Sequence, residues 1–134
     1  MPSVEFNVDG IPVSYQSTNS LLRAGYRAKI QAEAGKAMAG LRPWTVRVGL
    51  EMWILTVADV APENDNVLKL VRDALQGVVY VNDRQVHRDR VLRHDLQMPV
   101  TLPGLPDRLA ALATRGQPFI YVRVNTDVPW AVIA

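Results

Sequence analysis

The chain has 134 residues, 49% of them hydrophobic and 21% charged, which suits one folded domain, 1–134, with a real core. Fifteen Lys and Arg stand against thirteen Asp and Glu, a net charge of +2, so any nucleic-acid surface must be local or pooled by a dimer. There is no cysteine, which excludes disulfides, thiolate zinc sites and a cysteine nucleophile and fits a reducing cytoplasm.

MPSVEFNVDG lacks a basic region followed by an apolar core, so no signal peptide is expected, and no apolar run approaches the ~18 residues of a membrane span. Val4, Phe6 and Val8 alternate with Glu5 and Asn7, the pattern of a half-buried strand ended by Asp9-Gly10. Residues 14–20, SYQSTNS, read as a polar loop, with Ser20 as a helix cap. Leu21 to Ala39 has no proline, and Leu22, Tyr26, Ile30, Ala34 and Ala37 recur with helical period. Gly40 marks the stop.

Val46, Val48, Leu50, Met52 and Ile54 alternate over the next segment, the strongest strand signal in the chain. A helix from Asp65 to Gln76 follows, closed by Gly77. VVYV at 78–81 reads as a short buried strand or an extended segment. Residues 85–96 read as a charged strand with helix as competitor, PGLP at 103–106 as loop, 107–115 as a short helix and 119–124 as a closing strand. The order β-α-β-α-β-β-α-β implies a mixed α/β (α+β) domain: one mixed sheet, two main helices and a short third.

Two readings of the carboxylates around the second helix stay open. In the first, Asn64 or Asp65 caps the helix, Asp65 pairs with Lys69 four residues on, and Asn82-Asp83 is a turn. In the second, Glu63, Asp65 and Asp83 converge on one divalent ion. Three oxygen ligands plus waters suit magnesium or manganese, and Lys69 stands near Asp65 to stabilise charge on a phosphate.

Glu63-Asn64-Asp65-Asn66, then Lys69, Asp73-Ala74-Leu75, Gly77 and Asn82-Asp83-Arg84-Gln85-Val86 resembles the core motif of RusA-like crossover-junction endodeoxyribonucleases, which resolve Holliday junctions and are common in phages and prophages. The segment Gly10-Ile11-Pro12-Val13-Ser14 to Tyr26-Arg27 is similar to that family's opening strand, loop and helix. The resemblance implies a magnesium-dependent nuclease (manganese as substitute) that cuts branched DNA in recombination and repair as a homodimer. It implies Asp65 and Asp83 as metal ligands, Glu63 where the family usually has aspartate, and Lys69 as the catalytic lysine. Asp73 belongs to the motif and is expected to orient Lys69 or Arg72. The chain departs from the pattern twice: Glu63 is one methylene longer than aspartate, and Asn82 replaces the first member of an acidic pair. A branched-DNA-binding module that cuts poorly is the alternative these departures raise.

Arg84, Arg88, Arg90 and Arg93 follow Asp83 as the densest positive patch, readable either as a solvated strand face or, with Lys69 and Arg72, as phosphate contacts. Arg23, Arg27 and Lys29 extend that surface. His87 and His94 are expected at the surface or facing DNA rather than on a metal. Trp44, Trp53 and Trp130 are expected as core or dimer anchors.

Overall fold

Phe6 and Val8 are almost wholly enclosed, while Ser3 and Asp9 between which they run are exposed, and the alternation produces a strand at Ser3–Asp9 (β1). It opens a computed structural model in which residues 2–57, 62–97 and 106–126 are described. The further elements are a helix at Ser20–Met38 (α1), a strand at Val48–Thr56 (β2) and a helix at Asn64–Ala74 (α2). A 3-10 turn at Asp83–Gln85, a strand at Val86–Asp95 (β3), a helix at Asp107–Ala113 (α3) and a strand at Phe119–Thr126 (β4) complete them.

The strands form one mixed sheet in the order β1-β4-β2-β3. β4 runs antiparallel to both β1 and β2, whereas β3 runs parallel to β2. A parallel neighbour requires a crossover, and α2 is that crossover. The α+β domain expected from the sequence is therefore present, with three helices and one four-stranded sheet.

The two faces of the sheet are covered differently. Val4, Phe6, Val8, Leu50, Met52, Ile54 and Val122 meet Tyr26, Ile30 and Ala34 of α1 and Val67, Val71 and Ala74 of α2. Full burial of one such side chain contributes roughly 1.5–3 kcal/mol. On the other face Trp53, Leu55, Phe119 and Tyr121 close around Leu109 of α3. Trp44 and Trp53 are core residues, and Trp53 meets Tyr121 edge-on at 5.7 Å between ring centroids. Trp130 lies outside the described residues.

Several local expectations are corrected. Asn19, not Ser20, caps α1 by accepting from the Leu22 amide at 3.1 Å. Leu22 was expected in the buried stripe but is 55% exposed, and Met38 takes the last buried position. α1 ends with Ala39 in the left-handed region (φ 49°), one residue before the predicted stop at Gly40. The caps expected at Asn64 or Asp65 give way to Glu63, which makes no side-chain capping bond.

Residues 78–81 add no fifth strand; they form only isolated bridges, Tyr80 to Trp44 and to Gln76. Their backbone groups are divided: the Val78 and Val79 amides donate to the Leu75 carbonyl and the Gly77 amide to the Tyr80 carbonyl, while the Val79 carbonyl and the Val81 amide bond to the backbone of Trp44. Gly77 takes a positive φ of 81°, the turn that a side chain would strain. Val79 and Tyr80 are buried, as expected, whereas Val78 is half-buried and Val81 is exposed.

Candidate active site

α2 has eleven residues, and its turn angle of ~100° sorts them into a buried face, an outer crest and two flanks. Val67, Leu70, Val71 and Ala74 face the sheet. Asp65 and Lys69, one turn apart, are exposed on the outer crest. Arg72 lies on the flank toward β3, and Asp73 on the flank toward α1.

Both ends of this helix are clamped. At its start the Arg93 guanidinium, on β3, donates to Asn64 Oδ1 at 2.8 Å and to the Pro62 carbonyl. Arg93 thus anchors the segment carrying Glu63 and Asp65. At its end Arg72 pairs with Asp89 at 3.2 Å and donates to the Asp83 carbonyl at 3.2 Å. The Asp83 amide donates to Gln76 Oε1, also at 3.2 Å. Asp83 is thereby held through both of its backbone groups. The Tyr80 hydroxyl donates to the Arg72 carbonyl at 2.6 Å. Burial pushes the Tyr80 phenol well above its ordinary range, with nearby Asp83 adding to the rise and Arg72 opposing it.

Asn82 has a visible local job. Its side chain accepts from the Arg84 amide at 2.9 Å, and Gln85 reaches back to the Asn82 amide at 2.9 Å, a reciprocal cap. Gln85 Nε2 also donates to the Trp44 and Val46 carbonyls, which ties the turn to the segment before β2. Asparagine keeps the capping oxygen that an aspartate would supply and gives up its charge.

Asp73 does not orient Lys69 or Arg72. Its carboxylate accepts from Arg27 of α1 at 2.5 Å and from Gln76 Nε2 at 3.1 Å. Arg72, expected at the DNA, turns toward Asp89 and the Asp83 backbone. Sequence reasoning missed Gln76 and Arg93 as residues that fix the two ends of the motif: the Arg93 contact spans 29 residues, and the Gln76 contact crosses a turn that no local pattern announces.

The three carboxylates expected around one ion are not gathered. Asp65 is in the first turn of α2, whereas the Asp83 carbonyl is tied to Arg72 of the last turn. Among the described residues no group of three His, Asp or Glu side chains is placed to hold a metal ion. Asp83 does lie on the α2 side of the sheet, as the motif requires.

The arginines after Asp83 do not form one patch. Arg84 is exposed beside Asp83. Along β3, Val86 pairs with Val48 but Gly49 pairs with Arg88, so His87 is skipped in a bulge. Beyond it Asp89, Val91 and Arg93 share the α2 face with Leu50, Met52 and Ile54, their partners. Arg88 and Arg90 share the opposite face with Gly49 and Glu51. Without the bulge they would have shared the side of Val86, because a one-residue shift reverses every side chain. His87 is exposed and His94 half-buried, and neither joins a metal cluster among the described residues.

Residues 15–95, more than half of the chain, match the family model for endodeoxyribonuclease RusA. The chain belongs to this family. Membership supports a Holliday junction-resolving endonuclease in general terms. The matched region runs from the loop before α1 through the end of β3, so it contains α1, the β2-α2-β3 crossover and every residue of the motif. The search of curated proteins returns no match. Among the described residues no helix is long and apolar enough to cross a membrane.

Proposed function

We propose that this chain is a structure-selective endodeoxyribonuclease that hydrolyses phosphodiester bonds in four-way DNA junctions during recombination and repair. The observation that carries this reading is the family match across the whole β2-α2-β3 unit, with Lys69 exposed on the crest of α2 and Asp83 locked beside that helix. The Lys69 ammonium has the charge and exposure to stabilise the negative charge that develops on a phosphoryl group under attack. Arg84, next to Asp83, is offered to the backbone of the same strand.

Magnesium or manganese is the proposed cofactor, with Glu63, Asp65 and Asp83 as ligands; such an ion polarises the phosphate and activates water. The support for it is the motif alone. The carboxylates as placed do not make a three-ligand group, and no catalytic step is derived through the ion. A homodimer is proposed because paired nicks in opposed strands need two sites, which two-fold symmetry supplies. Cytoplasmic action and a phage or prophage origin complete the proposal.

The second reading is a junction-binding module that cuts poorly. The departures at Glu63 and at the uncharged Asn82 favour it. Cleavage of a synthetic four-way junction with and without magnesium decides between the two. Magnesium-dependent paired nicking establishes the nuclease. Junction binding in EDTA with no cleavage at any magnesium or manganese concentration establishes the module, and absence of both removes the two together. Light scattering of the protein alone and on the junction tests the dimer.

A further inference from the structure

Beside the crest of α2, a groove of about 350 Å³ runs between α1 and α2, lined by Tyr15, Ser20, Arg23, Arg27, Leu70 and Asp73. Arg23 and Arg27 are four residues apart on α1 and so project along one face. Arg27 is committed to Asp73, whose second oxygen takes Gln76. Arg23 is half-buried, and its Nε is enclosed with no hydrogen-bond partner among the described residues. An enclosed donor on a charged group is costly to leave unpaired. Two guanidinium groups against one carboxylate leave the groove with an excess of one positive charge, and Lys69 adds another on the adjoining crest. The Ser20 hydroxyl lines the same wall.

We propose that this groove is an anion subsite that takes a backbone phosphodiester of the DNA strand passing Lys69. Arg23 is the principal contact, through its two terminal amines, the paired donors that suit two phosphate oxygens, with the enclosed Nε behind them. Arg27 is held by Asp73 as the second wall of the groove. The subsite lies on the α2 side of the sheet, whereas Arg88 and Arg90 lie on the other, so it places the strand across α1 rather than along β3. This deepens the nuclease reading and rests on it for the identity of the ligand.

The test follows the Arg23 Nε–H resonance by ¹⁵N NMR while inorganic phosphate, a short single-stranded oligonucleotide and a four-way junction are added in EDTA. In parallel, the salt dependence of junction binding is measured for wild type, Arg23→Gln, Arg23→Lys and Arg42→Gln, an exposed control. A DNA phosphate site predicts a shift of the Arg23 signal with oligonucleotide and junction. Arg23→Gln should flatten the slope of log affinity against log salt by about one. Arg23→Lys should keep the slope at lower affinity, and Arg42→Gln should match wild type. A shift with inorganic phosphate but an unchanged slope in Arg23→Gln overturns the DNA assignment and leaves a free-phosphate site. A still resonance and an unchanged slope in a wild type that binds junctions overturn the subsite while the nuclease reading stands. A wild type that binds no DNA overturns both.

Discussion

Lys69 carries no structural duty on the exposed crest of α2, so its replacement separates chemistry from folding. Lys69→Ala should leave the melting temperature and junction affinity nearly unchanged and lower single-turnover cleavage by about a hundred-fold or more, the usual loss when a transition-state donor is removed. A wild-type rate would reduce Lys69 to a surface residue. Glu63 is equally exposed and makes no capping bond, so substitutions there report on the site alone. Glu63→Asp should retain or raise cleavage, and Glu63→Gln should abolish most of it, if a cation needs that charge. Wild-type cleavage by Glu63→Gln would remove it from the ligand set. Two buried tyrosines make a further contrast. The Tyr80 hydroxyl donates to the Arg72 carbonyl, whereas the Tyr26 hydroxyl is enclosed without a partner among the described residues. Tyr80→Phe should cost about 1 kcal/mol, and Tyr26→Phe should be neutral or stabilising, both read by denaturant unfolding.

At the scale of elements, the β2-α2-β3 crossover works as a frame whose two clamps fix where the motif's carboxylates stand. Arg72→Met keeps the apolar stem and deletes the bonds to Asp89 and the Asp83 carbonyl. Hydrogen exchange at the Asp83 amide should quicken, and cleavage should fall with a higher magnesium concentration needed for half-maximal rate. Unchanged exchange and cleavage would show that Gln76 alone holds Asp83. Much of this frame was legible in the sequence. Val48, Leu50, Met52 and Ile54 alternate because one face of β2 packs on the helices, and the motif residues lie in a continuous run that local spacing can display. What escaped reading depends on contacts across the fold. The clamp by Arg93 spans from β3 to the residues before α2, with nothing local to announce it. Arg88 and Arg90 looked like neighbours of Asp83, yet the bulge at His87 turns them to the far side of the sheet. Bulges leave no periodic trace in a strand that is already mostly charged. Residues 78–81 resembled a strand because they are apolar, but the turn at Gly77 ties the Val78 and Val79 amides to Leu75 and leaves only isolated bridges at Tyr80.

The molecule buries three of its four tyrosines, Tyr26, Tyr80 and Tyr121, where ionisation is resisted. Burial raises Tyr26 and Tyr80 well above the ordinary value of 10.0. The neutral form is therefore favoured in the folded state, and the unfolded chain loses these protons first. Their contribution is fully present below about pH 10 and declines as pH rises beyond it. Unfolding free energy measured from pH 8 to 11.5 should stay level and then drop above about pH 10. Tyr80→Phe should make the alkaline limb shallower, and an identical limb would dismiss its part in the decline. The strand order β1-β4-β2-β3 also has a consequence in time. β4 is translated after every other described strand, yet it fills the gap between β1 and β2 and pairs with both. The motif is complete at residue 86, well before Phe119 begins the strand that joins the two halves of the sheet. A ribosome-bound chain stalled ahead of residue 119 should be protease-sensitive and inert toward junctions, and extension through Thr126 should confer resistance in one step. Cutting competence would then wait for β4, however early the motif itself is made.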